Sequence, residues 1–335
     1  MKISASAFSN KTLPLSTLVQ EIEACGIDYV HVDCNDDPNI GEAIATIRAH
    51  CNLPIDLHII SPNPERFYDV IQDQKVEMVT LQYEDLGGRK LDLPDLGCQW
   101  GLSIVTDTPV EVFQEYQDAC DFILLMTTVP GQSGGRFDQA NFRKIRDFRR
   151  LHSDKRIHVD GGVNAEISFV LRNMGVFCAV SGSFLVNAES ISKAYLRLLV
   201  QRGENPIRVQ DFMHELNELP VLSAENLRTG PLLRTIEDFK MGYCLLTDEH
   251  GNLAGLVSNA DVRRGMLRHI EQLEELDAAS MVNPTPKSIV MNATVSELLR
   301  FVKQLDFLVL YMPVVDEAGK LVGAVNFNHL IIGEL

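Results

Sequence analysis

Eight short runs rich in β-branched residues recur through roughly the first 200 residues, and amphipathic stretches separate most of them. The runs predict strands at 3–7, 29–33, 55–60, 78–83, 101–105, 122–127, 157–161 and 179–182. Helices are predicted at 15–24, 40–50, 64–72, 109–116, 139–152, 165–173 and 191–201. Strands that alternate with helices must run parallel through crossovers, which leaves an open doubly wound sheet or a closed (β/α)8 barrel. No G-x-G-x-x-G follows the first strand, which argues against the open sheet. Residues 1–203 are therefore expected to form a TIM barrel near the lower size limit of that fold. The weak place is 84–97, EDLGGRKLDLPDLG, a poor helix between the fourth and fifth strands.

After residue 202 the texture changes. GENPIRVQDF reads as a linker, and an internal repeat follows. CLLTDEHGNLAGLVSNADV at 244–262 matches MPVVDEAGKLVGAVNFNHL at 312–330 without a gap, sharing D-E-x-G-x-L-x-G-x-V. Each copy reads as strand, tight turn, strand and helix, with Gly251 and Gly319 at the turns. Two stacked copies would bury a face that neither buries alone. The second domain is placed at 208–335, with repeats at about 215–270 and 278–335.

Charge narrows the partners. The chain of 335 residues carries 46 Asp plus Glu against 30 Lys plus Arg, a formal charge of -16. Nucleic acid requires a basic patch, so it is not an expected partner. A phosphorylated small molecule remains compatible, because backbone N–H groups alone can hold a phosphate. No apolar run reaches the roughly 18 residues of a membrane span, and the polar start MKISASAFSNK is no signal peptide. The expectation is a soluble, cytoplasmic protein with no membrane partner. Seven cysteines, an odd number without any C-x-x-C, indicate neither a disulfide framework nor a zinc ribbon. Most of them read as buried reduced thiols, with Cys34 set apart by its polar neighbours.

Those neighbours are the informative residues. His31 and Asp33, Asp56 and His58, and His158 and Asp160 are pairs two apart on predicted strands, so each pair points to one side. Barrel interiors are usually filled by Val, Ile and Leu, and imidazole or carboxylate there is costly. His31, Asp33, His58 and Asp160 lie at C-terminal strand ends, where barrel enzymes place their chemistry. Two His and two Asp suit a divalent transition metal such as zinc, manganese or iron. Asp56 and His158 sit one layer deeper and read as supports. A lone inward His is more often a satisfied core residue; it is the joint occurrence on three strands that points to a metal.

Glycines mark a second chemistry. Gly161-Gly162 ends the seventh strand and Gly182-Ser183 the eighth, positions where barrels commonly grip phosphate through backbone N–H groups. Pro130-Gly131-Gln132-Ser133-Gly134-Gly135 forms a glycine-rich loop after the sixth strand, able to close over a ligand.

Residues 3–9, His31-Val32-Asp33, Leu57-His58, Met126-Thr127 with Pro130-Gly131, Val159-Asp160-Gly161-Gly162-Val163 and Ser181-Gly182-Ser183 together resemble the ribulose-phosphate 3-epimerase family. The resemblance runs in order over about residues 1–200 and implies a ribulose-phosphate-binding type of barrel. It also implies one divalent metal on His31, Asp33, His58 and Asp160. Asp33 and Asp160 would double as acid and base at carbon 3 of a ketopentose 5-phosphate, and Ser6 would help hold the substrate. The chain departs from the family where methionines line the reaction centre. Asn35 and Ile60 replace two of them, Met126 keeps the third, and the loop after Asn35 is shorter. Gln132-Ser133-Gly134-Gly135 stands where the family has F-G-G-Q. These changes imply a more polar, more open site and a shift of substrate, and they are also compatible with weak activity.

Residues 208–335 resemble a cystathionine-β-synthase-type (CBS) domain pair. That implies an adenine nucleotide or nucleotide-sugar effector and a homo-oligomer. The ribose-binding signal of such pairs is matched by Ser258 and Asp261 in the first copy, while the second has Asn326 and His329. Arg263-Arg264 is similar to an element of CBS pairs attached to sugar-phosphate isomerases. A decarboxylase or aldolase on a related barrel would usually carry Asp-x-Lys-x-x-Asp at a strand end, which is absent. A nucleotide sensor with a non-catalytic or weakly active barrel is the competing reading from a different class.

Overall fold

The computed structural model describes residues 1–89, 92–130, 134–200 and 204–328. Gly131, Gln132, Ser133 and His329, singled out above, lie outside the described residues. The chain divides into two compact units after Arg202.

In the first unit eight parallel strands close in sequence order: β1 (Lys2–Ser6), β2 (Tyr29–Asn35), β3 (Ile55–Ile60), β4 (Met78–Gln82), β5 (Gln99–Ile104), β6 (Phe122–Met126), β7 (Arg156–Asp160) and β8 (Cys178–Ser181). Pairing of β1 with β8, Ala5 beside Ser181, closes the TIM barrel that the alternation demands. The helices are α1 (Leu15–Ala24), α2 (Ile40–His50), α3 (Tyr68–Asp73), α4 (Ala140–Leu151), α5 (Ala165–Asn173), α6 (Ser183–Val186) and α7 (Ile191–Leu199). Strands covered on both faces read as unbroken apolar runs, and all of FILLM in β6 is buried. Phe142, Ile145 and Phe148 of α4 recur along one face and are buried; each ring contributes about 1.5–3 kcal/mol. Phe148 meets Phe113 edge-on at 5.0 Å.

Two connections differ from expectation, and a third follows it. The helix expected at 109–116 is a 3-10 segment, Val110–Glu115. Its buried residues Val110 and Phe113, with Tyr116 just after it, repeat every third position, the period of a 3-10 rather than an α-helix. The helix expected at 64–72 opens as a 3-10 turn at Pro64–Phe67 before α3 begins. After β4, where the sequence offers a poor helix, the described residues hold the 3-10 turn Tyr83–Leu86, ended by Gly87 at φ 60°.

Gly101 in β5 makes room at the base of the barrel, since a Cβ there would come within 2.2 Å of the Phe122 ring. Phe122 in turn stacks on His158 at 4.1 Å, and His158 on Phe177 at 5.6 Å. This packing makes His158 a core residue, and burial lowers its pKa to about 3, so it stays neutral.

The second unit begins with α8 (Val209–Phe212) and holds two sheets, ordered β10-β11-β12 and β13-β14-β15-β9. Here β9 is His214–Glu215, β10 Val221–Ser223, β11 Tyr243–Thr247, β12 Leu253–Ser258, β13 Ile289–Val290, β14 Tyr311–Val315 and β15 Leu321–Asn326. The helices are α9 (Thr229–Phe239), α10 (Asn259–Arg268) and α11 (Val295–Lys303). Both hairpins of the repeat carry the same register irregularity, between Leu246 and Thr247 and between Val314 and Val315. Their turns use Gly251 and Gly319 at positive φ, 82° and 89°. The hairpins also pair with each other, Leu253 N donating to Gly319 O and Leu321 N to Gly251 O. Tyr243 stacks on Tyr311 at 4.3 Å, so each copy buries the other's face, as a CBS-type pair does.

Candidate active site

β2 and β3 pair with His31 opposite Asp56 and Asp33 opposite His58. Their two-residue period sends all four side chains inward. Asp160 arrives on β7, and His31 reaches between the carboxylates. His31 Nε2 lies 3.3 Å from Asp33 Oδ1 and 3.6 Å from Asp160 Oδ2, while His58 Nδ1 lies 3.5 Å from Asp33 Oδ1. One donor atom from each of His31, Asp33, His58 and Asp160 falls within 4.8 Å of the others. Both imidazoles are fully buried, whereas the Asp33 and Asp160 side chains are 17% and 16% exposed and face a cavity.

The outer nitrogens of the two rings are occupied. His31 Nδ1 lies 2.9 Å from Asp56 Oδ2, and Ser4 Oγ donates to that same oxygen. His58 Nε2 lies 2.8 Å from Gln82 Oε1, and its Nδ1 is buried without a hydrogen-bond partner. An ionised carboxylate and an amide oxygen only accept, so each outer nitrogen carries the hydrogen and each inner one presents a lone pair when the ring is neutral. Two nitrogen lone pairs and two carboxylates aimed at one region suit a divalent cation, with zinc, manganese and iron all compatible. Before a cation binds, His31 itself supplies positive charge to the carboxylates. Burial disfavours charge on His31, but Asp56 and Asp33 outweigh it and hold its pKa well above the ordinary imidazole value. Burial also opposes ionisation of Asp33, yet the neighbouring His31 charge keeps it well below the usual carboxylate range. At Asp160 burial prevails over the pull of His31 and, with repulsion from Asp33, raises the pKa to about 6. Two carboxylates in one site are thus driven apart in acidity.

These carboxylates open on a cavity of about 850 Å³. Asn35 and Met126 line it beside them, and Ser6, Gly134, Gly161, Gly162, Gly182 and Ser183 form much of the rest. Gly162 is required twice over: its φ is 63°, and a Cβ would come within 2.1 Å of Phe137 N. Ser6 Oγ and Ser9 Oγ are 2.9 Å apart, and Ser9 Oγ closes over Gly182, where a Cβ would fall 2.5 Å away. Ile60, opposite Asn35 in register, is not among the lining residues. Cys34 points away from the cavity into the core, where burial pushes its thiol up to about 11, so it is no nucleophile.

Lining residues that the sequence motifs do not single out include Lys11, Thr128, Asn164 and Phe184. Their signal was positional, since each follows a barrel strand at the C-terminal face. The motifs also pass over Gln82, whose carboxamide on β4 looked like one more polar strand residue.

In the second unit Ser258 and Asp261 meet as the capping box of α10. Ser258 Oγ accepts from Asp261 N at 3.1 Å, and Asp261 Oδ2 accepts from Ser258 N at 2.9 Å. Arg264 pairs with the remaining Asp261 oxygen. Asn326 lies at the end of β15 beside Met241. Among the described residues no helix is long and apolar enough to cross a membrane.

Comparison with known proteins follows the same division. The family model described as the ribulose-phosphate 3 epimerase family matches residues 2–186, and the CBS domain model matches residues 278–332. The ribulose-phosphate 3-epimerase of Bacillus subtilis is 28% identical over 208 residues, 58% of this chain and 96% of that protein. The chloroplastic ribulose-5-phosphate-3-epimerase of Arabidopsis thaliana is 27% identical over 207 residues, 57% of this chain and 74% of that protein. Among solved structures, the CBS-pair protein CBSX2 from Arabidopsis thaliana matches 39% of this chain and 95% of its own, at 20% identity and a TM-score of 0.32.

Proposed function

The chain belongs to the ribulose-phosphate 3-epimerase family, a family of isomerases, and we propose that its barrel, residues 1–203, inverts carbon 3 of a phosphorylated ketose such as ribulose 5-phosphate. One observation carries this reading. Two buried imidazoles, each pinned by its outer nitrogen, converge with two carboxylates within 4.8 Å on the wall of a cavity that is lined elsewhere by glycine.

Inversion removes a proton from one face of the carbon and returns one to the other, so two acid/base groups must flank it. Asp33 from β2 and Asp160 from β7 take these parts. One accepts the carbon-3 proton as a carboxylate, an enediolate results, and the other donates from the opposite side. Before a cation binds, burial raises the pKa of Asp160 while His31 holds that of Asp33 low, so the two carboxylates differ in proton affinity. His31, Asp33, His58 and Asp160 would hold a divalent cation, which when bound supplies Lewis-acid stabilisation of charge on the ketose oxygens. Backbone N–H groups at Gly161-Gly162 and Gly182-Ser183 receive the phosphate, with Ser6, Met126 and Gly134 shaping the space between. The -16 charge of the chain means that these local groups bind the phosphate against the overall field.

The second domain, 208–335, then serves regulation. Ser258 and Asp261 would meet the ribose of an adenine nucleotide or nucleotide sugar, and the pair would dimerise the chain. The test uses the full chain loaded with zinc, manganese or iron, mixed with ketose phosphates in D2O and followed by proton NMR. Metal-dependent loss of the carbon-3 proton signal is expected, at a rate altered by AMP or a nucleotide sugar. No exchange with any metal overturns the epimerase reading and favours the sensor.

A further inference from the structure

His31 and His58 present opposite ring nitrogens to the same centre, Nε2 and Nδ1 respectively. His31 is directed by a buried charge, Asp56. His58 has a neutral partner, Gln82, and an amide can turn either its oxygen or its NH2 to a neighbour. If the NH2 faced His58, that ring would have to accept at Nε2 and carry its hydrogen on Nδ1, blocking the lone pair that faces Asp33.

Glu84 removes this ambiguity. It follows β4 in the 3-10 turn, and its Oε2 accepts from Gln82 Nε2. Its other oxygen accepts from Val105 N at 3.0 Å and from the Thr108 hydroxyl. A carboxylate offers no hydrogen, so every bond in the series has one direction: Val105 and Thr108 donate to Glu84, Gln82 donates to Glu84, and His58 donates to Gln82. Gln82 is 1% exposed, so water does not compete for its amide. We propose that Glu84, acting through Gln82, is the positioning residue that selects the Nδ1 lone pair of His58 for the metal. The step from lone pair to metal rests on the epimerase-family reading of the site; the choice of tautomer does not.

The test therefore has two readouts on the full-length protein. Side-chain ¹⁵N NMR of the metal-free chain at alkaline pH reports which nitrogen of His58 carries hydrogen. Competition with a chromogenic chelator reports zinc affinity. In the native chain the Nε2–H tautomer is expected. Glu84→Gln, a change at an exposed position, frees the amide to turn. It should give a mixed tautomer signal and zinc binding weakened roughly 10- to 100-fold, the usual range for lost support of a ligand. Thr108→Val removes one of the two donors that hold Glu84 and should shift both readouts the same way by less. An Nδ1–H tautomer in the native chain overturns the proposal, and so does an unchanged tautomer in Glu84→Gln. Because the tautomer is read without metal or substrate, absence of epimerase activity leaves this result standing and is recognised separately.

Discussion

One wall of the barrel cavity acts through side chains and the other through backbone. At the first wall, Asp33 and Asp160 lean on His31, which leans on Asp56 and through it on Ser4. Each group there sets the charge or hydrogen position of the next. At the second wall, Gly161, Gly162 and Gly182 contribute no side chain, and bulk is excluded by Thr128, Phe137 and Ser9 packed close against them. A side-chain wall can change its protonation during a reaction; a backbone wall cannot, and can only bind. The two walls are therefore expected to fail differently, the first in turnover and the second in affinity.

The largest expected effect is at the first wall. Asp160→Asn keeps the shape but removes both the exchangeable proton and one carboxylate of the cation site, so at saturating metal carbon-3 exchange should slow by roughly 10²- to 10⁴-fold. KM should change little, as measured by initial rates over a range of ketose phosphate concentrations. A rise in KM with unchanged kcat would mean that Asp160 binds rather than transfers protons.

Gly162→Ala probes the second wall. Its Cβ meets backbone at Phe137 that cannot swing aside, in a φ region strained by about 1–3 kcal/mol for an alanine. KM for the phosphate ester should rise roughly tenfold, since about 1.4 kcal/mol is one decade, while kcat changes far less. An equal loss in kcat would erase the distinction between the walls.

The smallest effect is on stability. Asp160 has a folded pKa of about 6 against 3.8 for the free group. Between these values the unfolded chain releases its proton first, so this residue costs stability as pH rises through the window, and the cost persists above it. Metal-free Asp160→Asn should therefore melt at a higher temperature than the native chain at pH 7.5, with the advantage gone near pH 4. Thermal melts in the presence of a chelator measure both. An advantage equal at the two pH values would show that burial of the charge is not its source.

The difference between the walls also explains what could be read from residues alone. The pairs His31 and Asp33, Asp56 and His58, and His158 and Asp160 announce themselves because alternation on a strand is a local rule. Alternation alone does not divide the six; position along the strand does, setting four at the C-terminal ends and Asp56 and His158 one layer deeper, where His158 packs between Phe122 and Phe177. The resemblance made Ile60 a cavity residue, and packing left it outside. Lys11 and Asn164 went unremarked because a loop residue declares its face only when the barrel closes. The 3-10 segments Pro64–Phe67 and Val110–Glu115 resemble α-helix in sequence because, over a single turn, periods of 3 and 3.6 hardly differ.

The order of strands and helices, the duplicated hairpin and the polar pairs facing the barrel axis were determined by sequence, because each is a pattern between near neighbours in the chain. The meeting of β2, β3 and β7 around one point, the direction of the bonds running from Glu84 to His58, and the opposed acidities of Asp33 and Asp160 were decided only by tertiary structure. Those properties depend on distance, burial and the shared orientation of lone pairs, and folding sets all three at once.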